Sequence, residues 1–389
     1  MNSTTSRIAH VGAAAAIGVL GYFLYSAWSE SSKKKKSNSS VLNLPVIDFK
    51  LYLDREKSAG AKEQYIAECK RAADALHNYG VCVVRDPRVD QKHNDTFIDM
   101  MEKYFSITDW VRDARPEWAY QVGVTPAAVE KARDNSQYID SLASSEKPMS
   151  PKVPIKDSKA RFFWRIGPRP TQTKFPSLNM DPVIPPEIPE WKTTMDMWGN
   201  KMLKAVEVLS EMLAEGFDLP PDAFTKRMEC GPHLLAPTGS DYKEFNQEGT
   251  ILAGFHTDLN FLTIHGKSRF PGLSIWTRDG QRMSVSVPDG CLLVQAGKQI
   301  EYLTGGHVLA GYHEVVINKK TLEVIEKKKN EGKSMWRVSS TLFGHINSDQ
   351  VLEPLGRFNT PEARRAYPPI HTGDQVKHEL EAISLAKSA

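Results

Sequence analysis

Between residues 62 and 78 apolar side chains recur at 66, 69, 73 and 76, a spacing that gathers them on one face of a helix. Tyr79 and Gly80 close that stretch, and Val81, Cys82, Val83 and Val84 read as a short buried strand. A strand is predicted at 44–49 and a helix over 94–106. The strongest period lies in 192–215, where positions 195, 198, 202, 206, 209 and 213 form one apolar stripe and Gly216 supplies the stop. After Pro220 the pattern changes to short alternating or wholly apolar runs, roughly every 8–12 residues, punctuated by Gly, Pro, Asp and Asn. That texture predicts a sandwich or jelly-roll barrel. From 109 to 190 the chain is proline-rich and aperiodic, but Phe162, Phe163 and Trp164 argue that it packs. The tail from 351 is polar, with a short helix predicted from Lys377.

Residues 11–28 carry no charge and are long enough as a helix to span a bilayer core of about 30 Å. Tyr22, Tyr25 and Trp28 mark one interface, and lysines follow at 33–36. A signal peptide would place its positive charge before the apolar run. The expectation is a single-pass anchor with the lysine side cytosolic, in the endoplasmic reticulum or outer mitochondrial membrane. The predicted division is then a tail at 1–10, the anchor at 11–28, a Ser/Lys linker at 29–42, a helical region at 43–219, a β domain at 220–350 and a polar tail at 351–389. The fold class is α+β, mainly β: a double-stranded β-helix (jelly-roll) core, a helical N-terminal domain and one transmembrane helix.

Composition changes little in this picture. The 389 residues are 40% hydrophobic and 25% charged, as in a folded chain. The net charge of +3 belongs to the first 40 residues, which hold Arg7 and the four lysines against Glu30. The near-neutral remainder offers no footprint for nucleic acid. Four cysteines without a CxxC spacing exclude a zinc ribbon and a disulfide scaffold.

The chemistry concentrates in the β region. His256 and Asp258 are two apart in an apolar run, so on a strand they share a face, and a buried carboxylate needs a partner. A metal ion is the natural one. The same HxD pattern at His93 and Asp95 falls at a polar helix start and reads as solvated surface. A third ligand must come from His313, His265 or His307. Two His and one Asp without Cys make the facial set typical of non-haem Fe(II), with zinc the rival metal. Arg337 and Ser339 share a strand face between Trp336 and Phe343 and suit a carboxylate. Asn260, Phe261 and Gln295 are further candidates for the pocket wall.

His256, Thr257 and Asp258, then Phe261, Leu262 and Thr263, Pro271, Gly272 and Leu273, the turn 303–306, His313, Arg337 and Ser339 follow one another in an order and spacing that resembles the isopenicillin N synthase-like family of Fe(II)/2-oxoglutarate-dependent oxygenases. Residues 44–48 and 79–81 resemble the same family's N-terminal domain. The resemblance implies a double-stranded β-helix, iron on His256, Asp258 and His313, and a 2-oxoglutarate carboxylate on Arg337 and Ser339. It singles out His313 as the third ligand. It also implies O₂-dependent decarboxylation of 2-oxoglutarate coupled to hydroxylation or desaturation of a small organic substrate. The chain departs from the family at His233-x-Leu235, where Asn-x-Tyr is common, and at Gly297-Lys298, where Gly-Asp is. Two other functions compatible with these residues are an Fe(II) oxidase that does without 2-oxoglutarate and a non-catalytic membrane-tethered binding module.

Overall fold

The computed structural model describes residues 44–107, 109–383 and 385. Strand β1 (Val46–Asp48) pairs in parallel with β2 (Val81–Arg85), and between them runs helix α1 (Ala59–Tyr79). Ser58 caps α1 by accepting from Ala61 N at 3.1 Å, and Gly80 ends it at φ +66°, where a side chain would be strained. The predicted stripe is buried at Cys69, Ala73 and Leu76, but Ile66 is 45% exposed and Tyr65 and Ala72 take its place. Helix α2 (Gln91–Phe105) starts in a capping box in which His93 Nδ1 accepts from Asp90 N at 3.1 Å. His93 is therefore a half-buried capping residue, not solvated surface.

The aperiodic segment contains β3 (Gly123–Thr125) and β4 (Ala160–Ile166). All seven residues of β4 are buried, which removes the alternation by which a strand is recognised. Helix α3 (Trp191–Gly216) follows the long period, and all six stripe residues are fully buried. Gly216 does not stop it by a left-handed turn. A Cβ at that position would collide with the Cys69 carbonyl and Ala73, so the glycine lets α1 and α3 touch.

Among the described residues ten more strands build the two larger sheets: β5 (His233–Leu235), β6 (Thr238–Asp241), β7 (Ile251–His256), β8 (Leu262–His265), β9 (Leu273–Trp276), β10 (Arg282–Ser284), β11 (Leu292–Ala296), β12 (Tyr312–Val316), β13 (Trp336–Ser339) and β14 (Thr341–Gly344). The major sheet has the order β1-β2-β11-β8-β14-β5-β4-β6-β13, with β3 on β4, and the minor sheet the order β10-β9-β12-β7. Strands from before residue 220 thus share a sheet with those after it. Helix α4 (Lys298–Leu303) precedes β12, and residues 317–336 are taken up by α5 (Lys319–Asn330), capped by Asn318 and docked through Ile325. Helix α6 (Thr372–Ala382) is the one predicted from Lys377.

The transmembrane part of the expected fold class requires correction. Among the described residues no helix is long and apolar enough to cross a membrane. The longest, α3, is amphipathic: it carries Lys192, Asp196, Lys201, Lys204, Glu207, Glu211 and Glu215 beside its buried stripe. The expected span at 11–28 lies outside the described residues. The single-pass anchor, and the endoplasmic reticulum or outer mitochondrial address built on it, are withdrawn.

Candidate active site

The two sheets enclose a cavity of about 1810 Å³. Strand β7 ends at His256, and His313 of β12 lies directly opposite in the antiparallel register. Asp258 is not on the strand. It follows in the β7–β8 connection, so it meets the imidazoles through a bend rather than by strand alternation. That bend is tied down on several sides. Lys298 N donates to Asp258 O at 2.9 Å and Gln299 N to Asn260 O at 3.0 Å. Phe261 N and Asn260 Nδ2 both donate to Gly344 O, at 2.9 and 3.1 Å.

His256 Nε2 and His313 Nε2 lie 3.7 and 3.8 Å from Asp258 Oδ1. The three donor atoms fall within 4.8 Å of one another, the one such group of three or more His, Cys or acidic residues among the described residues. Each Nδ1 faces a carbonyl, Gly254 O at 2.6 Å and Gly311 O at 3.2 Å, so each must carry the proton and donate. Burial pushes both imidazoles below their ordinary value, His313 to about 4. They are neutral, and their bare Nε2 lone pairs face a carboxylate whose other oxygen accepts from Thr263 Oγ1 at 2.6 Å. Lone pairs converging without a shared proton repel one another, and a cation removes the repulsion. Two imidazoles and one carboxylate, with their outer atoms already hydrogen-bonded, fit a divalent transition metal.

On the major-sheet wall Arg337 is 6% exposed and has no acidic partner among the described residues; its Nε is buried without a hydrogen bond. Burial draws the guanidinium below its usual value. Ser339, two residues on, lines the same cavity. A buried cation with an unfilled donor beside a hydroxyl fits an anion such as a carboxylate. Strand β5 contributes Leu234 to the cavity and the next residue, Ala236, lines it too, whereas Leu235 is fully buried in the core.

The remaining sequence candidates separate. Asn260 lines the cavity; Phe261 is packed against Phe224, and Gln295 is buried behind the wall against His265. His307 stacks on His77 at 4.1 Å, and His265 faces Gln295 and Thr341. Sequence reasoning missed Asp157, Lys159 and Arg161, which line the cavity with Phe163 and alternate along the chain into β4. Lys159 bridges Asp157 and Glu130, Arg161 pairs with Glu130 at 2.8 Å, and Asp157 Oδ1 accepts from Gly254 N at 2.9 Å. Their period-two spacing was the available signal. Helix α6 closes another side: Gln375 Nε2 donates to Leu259 O at 3.1 Å, and Glu379 pairs with Arg133 at 2.9 Å.

Residues 230–346 match the family model of the 2OG-Fe(II) oxygenase superfamily. A 2-oxoglutarate-dependent dioxygenase of Gibberella zeae is 23% identical over 320 residues, covering 79% of this chain and 76% of its own. A 2OG-Fe(II) oxygenase family protein from Caulobacter crescentus superposes with a TM-score of 0.68 at 22% identity, covering 89% of this chain and 100% of its own. A full-length Neurospora crassa protein solved with alpha-KG gives 0.66 at 17% identity, covering 88% and 98%. Residues 230–346 are a domain of the 2OG-Fe(II) oxygenase superfamily, and the protein is an Fe(II)/2-oxoglutarate-dependent dioxygenase with O₂ as its oxidant.

Proposed function

We propose that His256, Asp258 and His313 hold the iron, that Arg337 and Ser339 hold the distal carboxylate of 2-oxoglutarate, and that the enzyme hydroxylates or desaturates a C–H bond of a small organic substrate. The observation that carries this reading is the pairing across one cavity. Three converging metal donors stand on one side, and a buried guanidinium without a counter-charge stands on the other. When bound, iron and 2-oxoglutarate would let O₂ act as the oxidant: two of its four oxidising equivalents go to turning 2-oxoglutarate into succinate and CO₂, and the other two to the substrate.

The chain's own residues bind, orient and exclude water. Gly254 and Gly311 carbonyls fix the two imidazoles with Nε2 free for the metal. Thr263 holds the second carboxylate oxygen and so leaves Oδ1 as the donor. With only these three side chains as ligands, a bound metal would keep room for cosubstrate and oxidant. The cavity left over, between the Asp157–Lys159–Arg161 row and helix α6, is where the substrate is held.

Anaerobic titration of the full-length Fe(II)-loaded protein with 2-oxoglutarate tests this. A visible charge-transfer band that saturates with one equivalent is expected. It should vanish in His256→Ala and need much more cosubstrate in Arg337→Met. Stoichiometric iron retained by His256→Ala would sink the ligand assignment.

A further inference from the structure

Behind the proposed carboxylate clamp, the major sheet carries a row of hydrogen-bonded side chains. His265, the last residue of β8, lies directly opposite Thr341 of β14. Its Nδ1 is 2.9 Å from Thr341 Oγ1, and its Nε2 is 2.9 Å from Gln295 Oε1. Thr341 Oγ1 donates to Ser339 Oγ at 3.2 Å, and Ser339 Oγ is 2.7 Å from Thr238 Oγ1. The row therefore runs without a break through Gln295, His265, Thr341, Ser339 and Thr238. Its last four members line the cavity together with Arg337.

The protons in this row can be counted. A threonine hydroxyl has one hydrogen. If Thr341 gives it to Ser339, it has none for His265, so Nδ1 of His265 must carry a proton and donate to Thr341. The ring is neutral, so Nε2 then accepts, and the group beside it must be the NH₂ of Gln295. As placed, Gln295 presents its oxygen to His265 and leaves its own Nε2 buried without a partner. Turning the amide about its last bond gives the imidazole its donor; amide nitrogen and oxygen are assigned by such networks. Every hydrogen in the row then points the same way, from Gln295 to His265, to Thr341, to Ser339. Ser339 Oγ also accepts from Thr238 N at 3.2 Å, so its own proton goes either to Thr238 Oγ1 at 2.7 Å or to an acceptor in the cavity, and a charged acceptor is the stronger of the two. Beside Arg337, that acceptor is an anion.

The opposite polarity serves an anion badly. With Nε2–H donating to Gln295, Thr341 must donate to Nδ1 and Ser339 to Thr341. Ser339 then turns lone pairs toward the carboxylate. The strand on the other side of β14 cannot supply a hydroxyl instead, because Leu234 and Ala236 are what it and the residue after it offer the cavity.

We propose that His265 is a positioning residue for the cosubstrate: through Thr341 it holds the Ser339 hydroxyl with its proton aimed at the carboxylate on Arg337. The inference rests on the assignment of that carboxylate to Arg337 and Ser339, and the test separates the two.

Full-length Fe(II)-loaded protein is titrated anaerobically, by calorimetry, with 2-oxoglutarate and separately with oxalate. Oxalate chelates iron through two oxygens but has no distal carboxylate. His265→Leu should weaken 2-oxoglutarate binding about tenfold and leave oxalate and Fe(II) binding unchanged. His265→Asn, whose amide NH₂ reaches toward Thr341 as Nδ1 does, should recover most of the loss. Thr341→Val should lose as much as His265→Leu, and the double variant no more than either. Equal weakening of oxalate and 2-oxoglutarate would make His265 structural and overturn the proposal. So would His265→Leu binding 2-oxoglutarate like the wild type while Arg337→Met does not; the clamp would then stand without its positioning residue. Wild-type 2-oxoglutarate binding by Arg337→Met would remove the clamp and this inference with it. Thermal unfolding of each variant identifies any that fail to fold, and the Asn variant then carries the comparison.

Discussion

Glu314, one residue beyond the proposed metal ligand His313, is fully buried and accepts from both the backbone N and the hydroxyl of Ser150, at 3.0 and 2.7 Å. Its other oxygen takes Met149 N at 3.0 Å, and Ser150 Oγ in turn accepts from Phe255 N at 2.9 Å. One carboxylate thus fastens an irregular loop to the two strands that carry His256 and His313. Glu314→Ala would strip three donors of their partner, two of them on buried Ser150, at about 1–3 kcal/mol for each buried group left unsatisfied. The expected outcome is a midpoint lowered by several degrees and weaker Fe(II) binding, read by thermal unfolding and iron titration. Unchanged iron affinity would show that the loop does not brace the strands.

Arg337 stands in the opposite relation to stability. Its guanidinium is buried with no acidic partner among the described residues, a cost that only a bound anion offsets. Arg337→Met fills similar space without that cost and should stabilise the ligand-free protein by about 1 kcal/mol or more. In the wild type, 2-oxoglutarate at a hundred times its Kd should add about 2.7 kcal/mol. At the same concentration the variant, which binds more weakly, should gain much less. Melting curves with and without 2-oxoglutarate check both halves.

Gly297 sits where the Asp258 bend passes closest to α4. A Cβ there would fall inside the Asn260 carbonyl oxygen. Gly297→Ala must push the bend away from the hydrogen bonds that Lys298 N and Gln299 N make to it. Second-layer disturbances of metal sites cost roughly 10–100-fold in affinity. Iron binding should fall in that range while the circular dichroism spectrum is kept; full iron affinity would mean that the bend relaxes freely.

His233 and His345 link stability to acid. Burial, with the Arg165 cation beside them, pushes both down to about 3. His233 uses both nitrogens as a neutral ring: Nε2 donates to Met228 O at 3.1 Å, and Nδ1 accepts from His345 N at 3.0 Å. Below the ordinary histidine value of 6.5 the unfolded chain takes up protons that the folded chain refuses, so stability rises with pH through that window and falls on acidification. At pH 5 each residue should cost about 2 kcal/mol relative to pH 8. Urea midpoints measured at pH 8, 6.5 and 5 should drop in that order. A flat profile would contradict the neutral, buried assignment.

Local pattern was enough for some elements and not for others. The stripe of α3 was legible because one packed face imposes a 3.6-residue period, and all six positions are buried. Strand β4 was not, because burial on both faces erases alternation, and its entry row of Asp157, Lys159 and Arg161 lay hidden in a proline-rich stretch. Gly216 and Ile66 misled for a common reason: what decides them is which helix lies against α1, and periodicity carries no information about a neighbour. The span read at 11–28 rested on an uncharged apolar run with aromatics at one end and lysines beyond it. No described helix shows that property, because the long helices bury one face and keep charges on the other.

The order and kinds of the chemical groups were determined by the sequence itself: an imidazole and a carboxylate two residues apart, a later imidazole, then a guanidinium with a hydroxyl two residues on. Those are covalent facts, and they survive any packing. The residue pattern alone left His265, His307 and His313 open; the family resemblance picked out His313, and a register between strands almost sixty residues apart is what places it opposite His256. Tertiary structure also moved Asp258 off its strand into a braced bend, turned His265 toward Thr341 instead of the metal donors, and left Arg337 without a counter-charge. Each of these depends on what approaches from a distant part of the chain, and a residue's neighbours in sequence do not specify its neighbours in space.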